Sequence, residues 1–178
     1  NEFAKKFNLP VKIVIEPLYT QTTEPGIYRP QEPTTEKDGI IAIIKHWKED
    51  KYIGLKWKEV AWGTFLTGGI EEGHTAEETA IKEIREETGY LNPQFIKELG
   101  CVYGLFYHVP KKKNQLVRGH IVYLELKNES REEITEEEQK KHEIKWLTAK
   151  ELEVFLTPDT PKYAISLWQK GEFTYTGN

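Results

Sequence analysis

Methionine is absent from this 178-residue sequence, and cysteine occurs once, at Cys101. A single thiol excludes an internal disulfide framework and suits a reducing cytoplasm. Cys101 lies in an apolar run, where buried filler is its commoner role. The lack of any methionine, an initiator included, makes residue 1 an unnatural start, and we expect a processed or excised piece of a longer protein. Long hydrophobic runs are missing as well: none approaches the ~20 residues needed to span a bilayer. No internal repeat is visible. Neither sign of charge dominates, and a net charge of −4 gives no general pull toward nucleic acid or membrane. With 38% hydrophobic residues and five tryptophans, the chain can bury a substantial core, as one domain or one domain with trimmings.

The most informative stretch is residues 68–90, GGIEEGHTAEETAIKEIREETGY. It reads as a glycine-rich loop, a helix and a glycine stop. Thr75 and Glu78 have the spacing of a capping box, and Gly89 stands where helices leave through a left-handed residue. Ala80, Ile81, Ile84 and Thr88 recur at helical spacing and form the stripe to be buried. Glu83, Glu86 and Glu87 fall at i, i+3 and i+4, so their carboxylates converge. Three glutamates on a helix are most often a solvated face. Here Gly68, Gly69 and Gly73 precede them and let backbone groups approach a charged ligand. Hard oxygen donors beside open backbone suit Mg²⁺ shared with substrate phosphates.

The stretch resembles the Nudix box, G-x5-E-x7-R-E-U-x-E-E-x-G-U, with U a bulky apolar residue. Gly68, Glu83, Ile84, Glu86, Glu87, Gly89 and Tyr90 match. Two positions depart: His74 stands for the early glutamate and Lys82 for the arginine before Glu83. In the family that pair orients the catalytic glutamate, and lysine cannot make the bidentate contact of arginine. The resemblance implies an α/β fold, a Nudix-type α/β/α sandwich with a mixed β-sheet. It also implies a metal-dependent hydrolase of a nucleoside diphosphate linked to another moiety, with Mg²⁺ as cofactor and Mn²⁺ as substitute. Glu83, Glu86, Glu87 and the carbonyl of Gly68 or Gly69 are then the metal ligands, and Lys82 supports Glu83. A further carboxylate outside the box often acts as base in this family, and Glu125 and Glu143 are both candidates.

Around the box the chain reads as strands and loops. Residues 1–37 are expected to be an N-terminal arm or linker, with a strand-like VKIVI followed by a Thr-, Pro- and Gln-rich stretch, and residues 38–178 the Nudix-like domain. Residues 38–47 predict a doubly buried strand, and 52–57 its hairpin partner. Trp62 and Phe65 are core residues or, alternatively, a stacking wall for a flat group. Residues 94–109 and 117–126 predict two more strands, the first bent at Gly100 and Gly104. His120, on the second, is a structural histidine or faces the substrate. Lysines 111–113 read as a solvated tip able to attract phosphate. The charged run 128–141 predicts a mobile loop. A short strand over 142–147, a helix capped by Thr148 and Glu151, and a last helix stopped by Gly171 complete the chain.

Residues 3–10, FAKKFNLP, resemble a segment of leucyl-tRNA synthetases that follows the editing-domain region. That likeness implies a Nudix module inserted in, or cut from, such an enzyme, with the rest of a larger synthetase as its partner. The synthetase's ATP-binding motifs do not occur in this chain. The alternative to the hydrolase is thus an accessory or binding module with weak or no activity. Acidity argues against nucleic acid as a partner for this piece alone.

Overall fold

The computed structural model describes residues 16–171. Its spine is strand β2 (Thr34–Lys45), whose residues 40–44 are β-branched or small and buried on both faces. Strand β7 (Lys113–Leu126) runs parallel to it in register from Thr34↔Asn114 to Lys45↔Glu125. Strand β6 (Pro93–His108) pairs antiparallel with β7, and β1 (Leu18–Thr20) adds parallel to β6 at one edge. On the other side, β3 (Tyr52–Trp57) pairs with β4 (Gly63–Thr64) and with β8 (His142–Leu147). Strand β5 (Leu66–Gly69) runs antiparallel to β2. The eight strands form one mixed sheet.

Alternation along the strands divides the core in two. Ile40, Ala42, Ile44, Val122 and Leu124 face helix α1 (Ala76–Thr88), meeting Ala80 and Ile84. Ile41, Ile43, Ile121 and Tyr123 face the other way. There α3 (Ala149–Phe155) and α4 (Asp159–Lys170) supply Leu152, Ala164, Ile165 and Leu167. The result is an α/β/α sandwich. Helix α2 (Glu136–Lys141) precedes β8. Among the described residues no helix is long and apolar enough to cross a membrane.

Several expectations need correction. The expected β2–β3 hairpin is present, though its only registered pair is Lys45↔Tyr52, because β5 occupies the neighbouring length of β2 and β3 turns to β8. The bend in β6 comes at Gly100 (φ 144), beside the register shift from Glu98, whereas Gly104 pairs regularly with Val117. Residues 34–37 are not linker but the start of β2. Residues 18–33 are tied to the sheet: Asn114, fully buried, bonds the backbone of Arg29 and Glu32, and the Arg29 guanidinium lies 3.7 Å over the Tyr107 ring. The run 128–141 is held in place as well, because the Glu132 amide donates to the Gly89 carbonyl and Thr135 caps α2. The VKIVI strand and the FAKKFNLP segment lie outside the described residues.

Candidate active site

Helix α1 is fixed by its own ends. Thr75 Oγ1 accepts from the Glu78 amide at 3.2 Å, and the Glu78 carboxylate takes the Thr75 amide at 2.9 Å. Gly89 leaves the helix at φ 78, its amide bonding the Arg85 carbonyl. The helix presents Glu83 to β5 at Gly68. A Cβ built on Gly68 would meet Glu83 Cγ at 2.6 Å and Oε1 at 2.8 Å, so only glycine admits this approach. Ile70 donates to the Asp38 carbonyl, which by antiparallel alternation puts Gly68 in the hydrogen-bonded register with Ile40. The carbonyls of Thr67 and Gly69 therefore point away from β2, and the Gly68 carbonyl is engaged by the ladder.

The carboxylates crowd one another. Burial first, then Glu83, Glu138 and Glu86, push the Glu87 carboxyl up to about 8, while Lys141 pulls the other way. Burial and Glu86 also raise Glu83, with Glu138 and Glu71 adding to the effect. Glu87 Oε2 is buried without a hydrogen-bond partner. Its backbone carbonyl meets His142 Nε2 at 3.0 Å, which ties the end of α1 to β8. Glu86 is exposed.

Glu138 is the carboxylate that sequence reasoning missed. It sits on α2, where Lys141 Nζ approaches it at 2.7 Å, and its charge acts on both Glu83 and Glu87. The cap at Thr135 was the available signal, but the surrounding run of charge concealed the helix. Glu125 lies elsewhere. It sits at the register of Lys45, about 17 Å along β2 from the register of Gly68. There it accepts from the Tyr123 hydroxyl at 2.6 Å, on the face opposite α1. Glu143 alternates away from His142 and pairs with Lys145 at 2.7 Å on the surface, which keeps its carboxyl below the ordinary range. Neither is brought to the box carboxylates.

Lys82 Nζ stands 3.6 Å from Glu71 Oε1, so a neighbouring glutamate supplies the acid that His74 does not. Two cavities open beside β5 and share Thr67, Gly104, Phe106 and Thr160. One, of about 320 Å³, is lined by Lys37, Gly68, Gly69, His108 and Gln115. Desolvation, Lys111 and Lys113 lower the pKa of Lys37, and burial, Lys111 and Lys37 lower that of His108, so cationic groups gather at this wall. Gln115 Oε1 is buried there and unpartnered. The other cavity, of about 340 Å³, is lined by Trp57, Trp62 and Phe106. Phe65 has no exposed surface and belongs to the core, where it can touch no substrate. His120 lines neither cavity. It faces the α1 side of the sheet, 2.8 Å from Glu98.

The sequence profile of the NUDIX domain matches residues 33–167. The chain belongs to the Nudix family. Solved structures agree on the fold at low sequence identity. A NUDIX hydrolase from Nitrosomonas europaea superimposes with a TM-score of 0.55 at 14% identity, over 80% of this chain and 94% of that one. The MutT protein of Methanosarcina mazei gives 0.56 at 14%, over 81% and 99%. The E. coli dihydroneopterin triphosphate pyrophosphohydrolase gives 0.54 at 18%, over 74% and 95%.

The Nudix carboxylates fit a divalent cation. Glu83, Glu86 and Glu87 offer only hard oxygen, the donor set of Mg²⁺ and Mn²⁺. The orphaned Glu87 Oε2 and the raised carboxyls of Glu83 and Glu87 are what a cation at this point would satisfy and reverse.

Proposed function

We propose that this Nudix chain is a Mg²⁺-dependent pyrophosphohydrolase that cleaves the diphosphate anhydride of a nucleoside diphosphate linked to another moiety. The observation that carries the reading is the approach of Glu83 to the Gly68 backbone, together with a buried, unpartnered Glu87 oxygen one helical turn on. Glu83, Glu86 and Glu87 would hold the ion, and the outward carbonyls of Thr67 and Gly69 are the backbone groups free to help. The chemistry such an ion supplies is neutralisation of diphosphate charge and acidification of the attacking water.

The chain's own residues do the rest. Lys37, with Lys111 and Lys113 nearby, attracts the phosphates to the cavity beside Gly69. Trp62 and Trp57 offer aromatic faces to a base or other flat group in the adjoining cavity. Glu138, whose charge acts on Glu83 and Glu87 from α2, would take the proton of the attacking water at its carboxylate. Lys82, paired with Glu71, flanks Glu83 without the planar contact of an arginine, which slows the reaction without abolishing it. The single thiol suits work in a reducing cytoplasm.

A Mg²⁺-dependent hydrolysis screen over nucleoside diphosphate-X compounds and modified nucleoside triphosphates tests the reading. Turnover of at least one compound, lost when Mg²⁺ is chelated, supports it. A protein inert across the panel under all metals contradicts it.

A further inference from the structure

Glu98, Cys101 and His120 meet on the α1 face of the sheet, away from both cavities. Strands β6 and β7 place Cys101 opposite His120, and the register shift between Glu98 and Gly100 brings a third side chain to the same point. His120 Nδ1 lies 2.8 Å from Glu98 Oε1 and 3.6 Å from Cys101 Sγ, and the thiol is 3.6 Å from Glu98 Oε1. His120 Nε2 stands 3.7 Å from Asp38 Oδ1. Glu16 is gripped by Arg118 at 2.9 and 2.6 Å on the neighbouring position of β7.

We propose that Glu98, Cys101 and His120 form a second metal site, for a thiophilic divalent cation of the Zn²⁺ class, separate from the oxygen site of α1. The three donor atoms lie within 4.8 Å of one another. In a tetrahedral zinc site with ordinary bond lengths, sulfur stands about 3.5–3.6 Å from a nitrogen or oxygen ligand. Both sulfur distances here already have that value. The nitrogen–oxygen edge would be about 3.3–3.4 Å, so the His120–Glu98 hydrogen bond opens by about half an ångström on binding. A thiolate, a carboxylate and a neutral imidazole balance the two charges of the ion, while Arg118 offsets Glu16. Asp38 sits where an outer carboxylate would hold the free imidazole nitrogen of a ligating histidine. A water takes the fourth position. Sulfur separates this site from the all-oxygen one, because soft donors select Zn²⁺ over Mg²⁺. The ion would staple the irregular segment of β6 to β7.

Cobalt reads the site directly. Co²⁺ titrated into the metal-free 178-residue protein, with Mg²⁺ in excess, should produce a sulfur-to-cobalt charge-transfer band at one equivalent, displaced by Zn²⁺. Cys101 is the only cysteine, so the band reports this site alone. Cys101→Ser should abolish it. Asp38→Asn, at an exposed position that tolerates substitution, should weaken Co²⁺ binding about 10–100-fold. His120→Gln should weaken it at least as much. Absence of the band at saturating Co²⁺ would overturn the proposal and leave an imidazolium–carboxylate pair beside a thiol. So would a band of unchanged affinity in His120→Gln or, should that variant not fold, in Asp38→Asn.

Discussion

The side chain of Glu83 lies against the backbone of Gly68, with its Cγ 2.6 Å from where a Cβ would stand. Gly68→Ala must therefore push Glu83 aside from its Cγ outward. We expect activity to fall on the order of 100-fold, as when a catalytic group is displaced by about 1 Å, with little change in Tm. Paired measurements of kcat and thermal unfolding check this; a fall in Tm matching the loss of activity would contradict it.

Glu87 makes the metal-free protein sensitive to pH. A carboxyl whose pKa rises on folding holds more protons folded than unfolded. Its stabilising contribution is then greatest below the unfolded pKa and is lost as pH rises through the folded one. For Glu87 that window runs from 4.5 to about 8, and Glu83 acts in the same direction. A tenfold gain in proton affinity on folding corresponds to about 1.4 kcal/mol. Urea unfolding in chelator should show stability falling across this window, with a flatter profile for Glu87→Gln. Added Mg²⁺ should restore stability at the upper end.

Among carboxylates outside the box, Glu138 should matter and Glu125 and Glu143 should not. Loss of a general base costs on the order of 100-fold or more, so Glu138→Gln should lower kcat by that much. Glu125→Gln and Glu143→Gln should change it by no more than a few-fold. Rates for the three variants on one substrate decide between them.

The contrast among these glutamates shows what the sequence could tell. The caps of α1 are local, set by spacing within a few residues, and they were legible. So was the division of apolar residues into two faces, because it follows from alternation. Glu138 was not, since its approach to Glu87 depends on the bond from Glu132 to Gly89 and the cap at Thr135, both inside a run that reads only as charge. The pairing of Lys82 with Glu71 also escaped notice, because the family pattern directs attention to position 74. Likewise the meeting of Glu98 with His120 depends on a register shift that spacing does not encode.

Lys82 and Glu71 stand 3.6 Å apart, and both partners of the pair are largely exposed. An exposed pair contributes about 0–1 kcal/mol, so Glu71→Gln should leave Tm nearly unchanged. Lys82→Arg should raise kcat by gaining a planar contact, and more so together with His74→Glu. The two substitutions should be non-additive, since each completes the other's partner. Rates for both singles and the double form the test.

The central claim is that hydrolysis depends on a divalent cation held by the α1 glutamates. It is tested most directly by measuring kcat against Mg²⁺ concentration for wild type and Glu87→Gln on a substrate found in the screen. We predict saturable activation of wild type, with Mn²⁺ able to substitute, and for Glu87→Gln a large loss of rate with weaker apparent Mg²⁺ binding. Equal Mg²⁺ dependence and equal rates in the two proteins would contradict the account.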